Sequence, residues 1–210
     1  MNDEKSIKET LVKIKDLYEG NLSQHGVNSK AVGWKDQESQ LLRFEKLAEV
    51  IPGNTDSYTV ADWGCGYAAM YDFLQEKKPG CKKYYGYDIS ADMLHKAREL
   101  HPADDLELIQ SADVSTSADY TFVSGTFNVK FSESDEAWSA HVKETLQKLA
   151  EKTTRGLAFN LLTTYVDWKQ ENLFYADPME FFNFCKKNLS RKVTLIHDYP
   201  LYEWTMLVKL

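Results

Sequence analysis

The chain has 210 residues, enough for one domain with a substantial core and too few for two ordinary ones. Its formal net charge is −7 and its basic residues form only short pairs such as Lys186 and Lys187, which argues against a nucleic acid partner. No run of about eighteen apolar residues occurs, and the first residues are polar, so we expect neither a membrane span nor a secretory signal. The cysteines are scattered without metal-ligand spacing, and we expect reduced thiols, no metal, and a cytoplasmic protein.

Two helices are predicted ahead of the first strand. Apolar residues three or four apart predict the first over residues 3–19, and a second stripe predicts another over 37–50. Pro52 and Gly53 end this second helix. We therefore expect a single domain, with an N-terminal helical cap over residues 1–53 and a core over 54–210.

The segment 60–69 has the pattern of a short buried strand, a glycine turn and the start of a helix. Asp62 closes the strand, and Gly64 and Gly66 allow a sharp turn because they have no Cβ. Such a turn directs backbone N–H groups into a crevice at the carboxyl end of a sheet, where a nucleotide-like ligand can bind. The next strand, 83–88, ends in Asp88, and this spacing suits a ribose whose two hydroxyls donate to a carboxylate.

Helices and strands alternate through the rest of the chain. Ser90 is a good N-cap, and Asp177 with Pro178 is a second one, preceded by an aromatic stretch without clear period. The predicted helices cover 92–100, 135–152 and the residues after 177. The predicted strands cover 106–109, 157–162, 193–197 and 203–208, and residues 119–128 form the fourth strand with its exit loop. The last two strands are too close for a crossover helix, so we expect them to be antiparallel.

The pattern Asp62-x-Gly64-x-Gly66, Asp88 and the closing strand pair resemble the class I S-adenosylmethionine-dependent methyltransferases. The resemblance covers about residues 37–210 and implies a Rossmann-like α/β fold, a seven-stranded, mostly parallel sheet of order 3-2-1-4-5-7-6 with strand 7 antiparallel. The family usually has a third glycine where this chain has Ala68. The same letters also fit a dinucleotide fingerprint ending at Ala69, so an NAD-dependent oxidoreductase stays open, as does a binding protein of this fold without catalysis.

The resemblance implies transfer of a methyl group from S-adenosylmethionine to an oxygen or nitrogen of a small-molecule acceptor, with S-adenosylhomocysteine as product. In such enzymes the glycine turn holds the methionine half of the cofactor, and Asp88 would bind the ribose. Asp113 could accept from the adenine amine or simply form a turn, and Arg43 could pair with the cofactor carboxylate or lie solvated on its helix. The implied cofactor-binding set is Arg43, Asp62, Gly64, Cys65, Gly66, Asp88, Ile89, Asp113, Ser124 and Gly125.

The acceptor pocket is expected at the ends of strands four and five, closed by the aromatic stretch and by a tryptophan of the cap. The predicted substrate-binding residues are Trp34, Asn128, Asn160, Trp168 and Tyr175. A hydroxyl acceptor needs a base, and His197 is the first candidate because it ends a strand and histidine titrates near neutral pH. Tyr175 is the second catalytic candidate, and His25 and His141 are further ones. A purely structural histidine remains the alternative, and we expect a monomer or homodimer.

Overall fold

The computed structural model describes residues 2–33 and 36–210. The helices are α1 (Asn2–His25), α2 (Gln37–Ala48), α3 (Ala69–Lys77), α4 (Ala91–Leu100), α5 (Asp135–Glu151) and α6 (Pro178–Asn188), with a short 3₁₀ turn at Ser29–Val32. The strands are β1 (Tyr58–Trp63), β2 (Cys81–Asp88), β3 (Leu106–Gln110), β4 (Ala118–Val123), β5 (Thr153–Thr163), β6 (Tyr175–Ala176), β7 (Lys192–Ile196) and β8 (Glu203–Lys209). α1 is longer than its predicted span, and the other predicted helices agree within a few residues.

All strands belong to one sheet, with the order β3-β2-β1-β4-β5-β8-β7. β8 is antiparallel to β5 and β7, and the pairings among the other strands are parallel. This confirms the predicted order. The last two predicted strands, 6 and 7, correspond to β7 and β8. The numbers differ because the stretch predicted to be irregular contains a two-residue strand, β6, that pairs with β5.

The helices cover the two faces of the sheet. On one face α1, α5 and α6 pack through side chains such as Ile14, Trp138 and Phe181. On the other, α2, α3 and α4 pack through side chains such as Phe44, Leu74 and Ala97. Among the helices that the structure describes, none is both long and apolar enough to cross a bilayer.

The connection from β3 to β4 has no helix, although the two strands run in the same direction. Residues 111–117 cross directly from the end of one strand to the start of the other. A crossover between parallel strands usually needs a dozen or more residues and a helix that covers the sheet. Here α1 lies on this face instead, and Ile14 packs in the same buried cluster as Trp63 and Phe127.

The predicted helix caps are confirmed by the structure. The Ser90 hydroxyl accepts from the N–H of Met93 at 3.1 Å, and the Asp177 carboxylate accepts from the N–H of Met179 at 2.7 Å. Asp177 therefore satisfies backbone donors at the start of α6, as a capping residue does.

Candidate active site

The glycine turn after β1 is held against the end of β2. The N–H groups of Gly64 and Cys65 both donate to the carbonyl of Tyr87, at 2.8 and 3.0 Å. Gly64 has a φ of +79°, and a Cβ placed on it would overlap the side chain of Thr126. A side chain at Gly64 would therefore be both strained and obstructed.

Asp88 ties the end of β2 to the turn and to α4. Its two carboxylate oxygens accept from the N–H groups of Gly66 and Ser90, each at 2.8 Å. Burial nevertheless raises the pKa of Asp88 above its ordinary value, because the backbone donors offset only part of the desolvation. A ligand that donated hydrogen bonds to this carboxylate would favour its charged form.

A cavity of about 880 Å³, including its open mouth, lies above the turn. Its walls are mostly apolar, but the Ser124 hydroxyl and His141 Nε2 are buried there without a hydrogen-bond partner among the described residues. Burial also lowers the pKa of His141. Its lining is Leu11, Ile14, Lys15, Tyr18, Val32, Trp63, Gly64, Gly66, Tyr87, Asp88, Ile89, Ser90, Met93, Ser111, Ala112, Ser124, Gly125, Thr126, Phe127, Trp138 and His141.

α1 covers this cavity and is attached near both of its ends. The hydroxyls of Ser6 and Thr10 donate to one carboxylate oxygen of Glu133, at 2.6 and 2.9 Å. Farther along, Glu19 accepts from the Ser90 hydroxyl at 2.9 Å. The apolar side chains between these attachments face the cavity, so the helix forms part of its wall.

A smaller chamber of about 330 Å³ adjoins the main cavity beside α2. Ser124 and Gly64 line both spaces, so they stand at the junction. Asp62 lies in the smaller chamber, where burial raises its pKa to about 7; the Tyr84 hydroxyl donates to it and opposes this shift, and the charge of Asp88 adds to it. The carboxyl is therefore ready to ionise when a cation approaches.

Ala68 occupies the position of the family's third glycine and keeps a glycine-like conformation. Its φ and ψ are 63° and 36°, in the left-handed region, at the N-cap of α3. The methyl group is fully buried. The turn thus has the shape that glycine normally allows, at a cost of about 1–2 kcal/mol for an L residue.

Comparisons with known proteins agree with this geometry. A model described as "Methyltransferase domain" matches residues 60–156. The chain is 39% identical over 158 residues to the Mycobacterium tuberculosis protein named "Putative methyltransferase Rv1506c", an alignment that covers 73% of this chain and 94% of that protein. This chain belongs to the class I S-adenosylmethionine-dependent methyltransferases.

Solved structures show the same fold at low sequence identity. Magnesium protoporphyrin IX methyltransferase from Synechocystis PCC 6803, with bound S-adenosylhomocysteine, superposes with a TM-score of 0.64 at 13% identity, covering 92% of each chain. The N-methyltransferase NodS from Bradyrhizobium japonicum WM9 superposes with a TM-score of 0.60 at 11% identity, covering 84% of this chain and 97% of that one.

The cofactor of this methyltransferase is therefore S-adenosylmethionine, and the residues present fit it. The cavity lies at the carboxyl ends of β1 and β2 beside the glycine turn, where a nucleotide-class ligand binds in open α/β sheets. Asp88 presents a buried carboxylate at the end of β2. Gly66 has no side chain, and a Cβ there would lie 3.2 Å from Val32 and narrow the cavity. Family membership also decides between the two cofactors that the glycine motif alone allowed.

The structure brings most of the predicted cofactor residues together. Six line the main cavity: Gly64, Gly66, Asp88, Ile89, Ser124 and Gly125. Asp62 and Cys65 line the smaller chamber. Asp113 is exposed and lines a groove that adjoins the main cavity at Ala112. Arg43 points elsewhere, because its guanidinium binds the carboxylate of Glu203 on β8.

The predicted acceptor residues are more dispersed. Asn160 is fully buried and hydrogen-bonded to Gly125 and Glu203, and Asn128 is buried with its Oδ1 unpartnered among the described residues. Trp168 is 69% exposed on the loop after β5. The Tyr175 hydroxyl accepts from the N–H of Gln170 at 3.2 Å, within the same loop region. Trp34 lies outside the described residues.

The candidate bases also separate. His197 is exposed and packs against the ring of Tyr165 with centroids 5.7 Å apart, and His25 is exposed at the end of α1. Within the described part of the chain, the residues that line the main cavity include His141 and none of His25, Tyr175 and His197. Of these four candidates, His141 is the one that the fold brings to the ligand space.

Sequence reasoning missed several residues that shape the site. Phe127 and Trp138 form walls, Glu133 anchors α1, and Glu203 pairs with Arg43. A signal existed for Glu203, because it is the only carboxylate of a mostly apolar strand, and such a charge must find a partner when buried.

Proposed function

We propose that this methyltransferase transfers the methyl group to an oxygen or nitrogen atom of a small molecule. The observation that carries the proposal is the partly covered, largely apolar cavity under α1, with few polar groups in its wall. Such a space suits a compact ligand rather than a polymer. Of the structural neighbours, magnesium protoporphyrin IX methyltransferase is named for a small acceptor and NodS for transfer to nitrogen, and both agree with this proposal.

The residue roles on the cofactor side follow from their positions. We assign the ribose hydroxyls to Asp88, the aminoacyl end to the turn from Gly64 to Gly66, and the ammonium group to Asp62 in the smaller chamber. An ammonium beside the desolvated Asp62 carboxyl would stabilise its ionised form. Ile89 in the main cavity and Asp113 in the adjoining groove would flank the adenine.

When bound, S-adenosylmethionine supplies a methyl group already activated by its sulfonium, so the protein must mainly position the acceptor. Correct positioning can contribute about 7–11 kcal/mol to lowering a barrier. The apolar side chains of α1 exclude water from the cavity, and the unpartnered Ser124 hydroxyl and His141 Nε2 are available to polar groups of the acceptor.

For a hydroxyl acceptor, we assign the proton to His141. Burial lowers the pKa of this imidazole and so favours its neutral form, which has a lone pair that can accept a proton. A positioned base of this kind contributes roughly 10²–10⁴-fold to the rate. His141→Gln should therefore reduce turnover of a hydroxyl acceptor and abolish the acidic limb of its pH profile, while an amine acceptor would be affected less.

The test is a screen for S-adenosylhomocysteine release when the enzyme is incubated with S-adenosylmethionine and fractionated cell extract. We expect release with the small-molecule fraction, and strongly reduced release with Asp88→Ala, the matched control with weakened cofactor binding. Release with the protein or nucleic acid fraction alone would contradict a small acceptor and leave the cofactor assignment intact.

A further inference from the structure

A buried ion pair joins α2 to the last strand of the sheet. Arg43 donates from Nε and Nη2 to the two carboxylate oxygens of Glu203, at 2.7 and 2.8 Å. The side chains are 9% and 2% exposed. Arg43 also donates from Nη1 to the carbonyl of Ser39 at 2.7 Å, which fixes the guanidinium relative to its own helix.

Asn160 on β5 extends this pair to the cavity wall. Its Nδ2 donates to Glu203 at 2.6 Å, and its Oδ1 accepts from the N–H of Gly125 at 2.9 Å. A carboxylate can only accept and a backbone N–H can only donate, so a single orientation of the amide satisfies both neighbours. The ion pair thus determines which end of Asn160 faces Gly125.

Gly125 lines the main cavity next to the place where the two spaces meet. It has a φ of +69°, and it follows Ser124, which lines both the main cavity and the smaller chamber. The Ser124 hydroxyl is buried without a partner among the described residues, so its direction matters for any ligand. A hydrogen bond that holds the next residue also restricts where this hydroxyl points.

We propose that Arg43, Glu203 and Asn160 form a positioning relay that holds Ser124 and Gly125 in the conformation that receives the cofactor. The proposal rests on the placement of the cofactor in this cavity. The three residues act through Gly125 and touch no ligand themselves. Arg43 thereby has a role different from the direct carboxylate contact predicted from sequence.

Stability alone is a poor explanation for this arrangement. Removing two charges from water costs about as much as their attraction returns, so a buried ion pair often stabilises a fold no more than apolar residues would. Such a pair does impose a fixed orientation, because its donors and acceptors must all be matched. Here the series of hydrogen bonds from Arg43 through Glu203 and Asn160 ends at the backbone N–H of Gly125 in the wall of the site.

The test compares Asn160→Ser with Thr121→Val. Serine is neutral and too short to reach Gly125, whereas Thr121 loses only its buried hydrogen bond to Thr153, on the same strand pair but away from the cavity. We expect Asn160→Ser to bind S-adenosylhomocysteine at least tenfold more weakly in calorimetry, and Thr121→Val to bind like the wild type. In the free protein, amide exchange at Gly125 relative to Phe122 should accelerate in Asn160→Ser alone.

A second test exchanges the amide and the carboxylate between positions 160 and 203 and asks whether the double variant recovers affinity. Asn160→Asp places a second carboxylate beside Glu203, and Glu203→Gln deprives Arg43 of its charged partner, so each should weaken binding. Combining the two restores one carboxylate and one amide in exchanged positions, and affinity should recover at least partly. Additive losses in the double variant would overturn the relay.

Two further results distinguish a failure of the relay from a failure of the proposed cofactor site. Equal affinity in Asn160→Ser and Thr121→Val, or an unchanged exchange ratio at Gly125, would overturn the relay even if the cofactor site is correct. Unchanged affinity in Asp88→Ala would instead show that the cofactor binds elsewhere, and the exchange ratio, measured without ligand, would still decide whether Asn160 holds Gly125.

Discussion

Replacing Asp62 by asparagine should stabilise the free protein at alkaline pH while weakening cofactor binding. The two side chains have nearly the same shape, and the asparagine Oδ1 can still accept from the Tyr84 hydroxyl. What changes is the charge. Burial raises the pKa of Asp62 from 3.8 to about 7, so the folded protein favours the protonated carboxyl.

The sign and the pH window follow from this shift. The unfolded chain ionises near pH 3.8 and the folded chain near pH 7, so this group costs stability progressively as the pH rises between these values. At about 1.4 kcal/mol per pH unit, the cost reaches roughly 4 kcal/mol above pH 7 as an upper value. Asparagine carries no charge and avoids it.

The assay is denaturant unfolding of the free wild type and Asp62→Asn between pH 4.5 and 8.5. The difference in unfolding free energy should be small at the acidic end and grow in favour of the variant toward pH 8. Asp104→Asn is the matched control, because it removes a carboxylate that folding leaves exposed, and its effect on the unfolding free energy should be small. A difference for Asp62→Asn that does not change with pH would refute the reasoning.

Three other outcomes are expected. Asp88→Ala should lower the affinity for S-adenosylhomocysteine about 10- to 100-fold in calorimetry, since hydrogen bonds to a charged group contribute about 1.5–3 kcal/mol. Asp104→Ala is the control and should bind like the wild type. Equal affinity of Asp88→Ala and the wild type would exclude the ribose role. Ala68→Gly should change the unfolding free energy by less than about 1 kcal/mol. The variant relieves about 1–2 kcal/mol of backbone strain, but it also loses a buried methyl group and gains backbone entropy in the unfolded state. A decrease of more than about 2 kcal/mol in the unfolding free energy, measured with denaturant, would contradict this balance. Glu133→Ala should speed S-adenosylhomocysteine dissociation in stopped flow, because Ser6 and Thr10 lose their acceptor, and an unchanged rate would show that this contact does not retain the ligand.

The sequence predicted those parts of the molecule that local pattern controls. The strand and turn around Gly64, the spacing to Asp88 and the closing antiparallel pair all depend on neighbours close in sequence, and the sheet order is confirmed. The same holds for the Ser90 and Asp177 caps.

The parts that could not be predicted depend on contacts distant in sequence. Arg43 and Glu203 are 160 positions apart, and nothing in the helix around Arg43 identifies its partner. His197 follows a short edge strand, where the period does not determine which residue turns inward, and it is exposed. The sequence around His141 does not distinguish it from other helical histidines, because its place in the cavity wall depends on how α5 packs in the fold.

The direct link from β3 to β4 has a consequence for how ligands come and go. A crossover helix is bound into the sheet by the strands on either side of it, so moving it would disturb the pairing. α1 covers the same face without linking β3 to β4, and it is held by side-chain packing and by hydrogen bonds to Glu133 and Ser90. Moving α1 would break these contacts and leave the strand pairing intact, so the free energy of such an opening would be set by the contacts of α1. The residence time of the product would then be governed by local unfolding, and side chains far from the reacting atoms could set turnover.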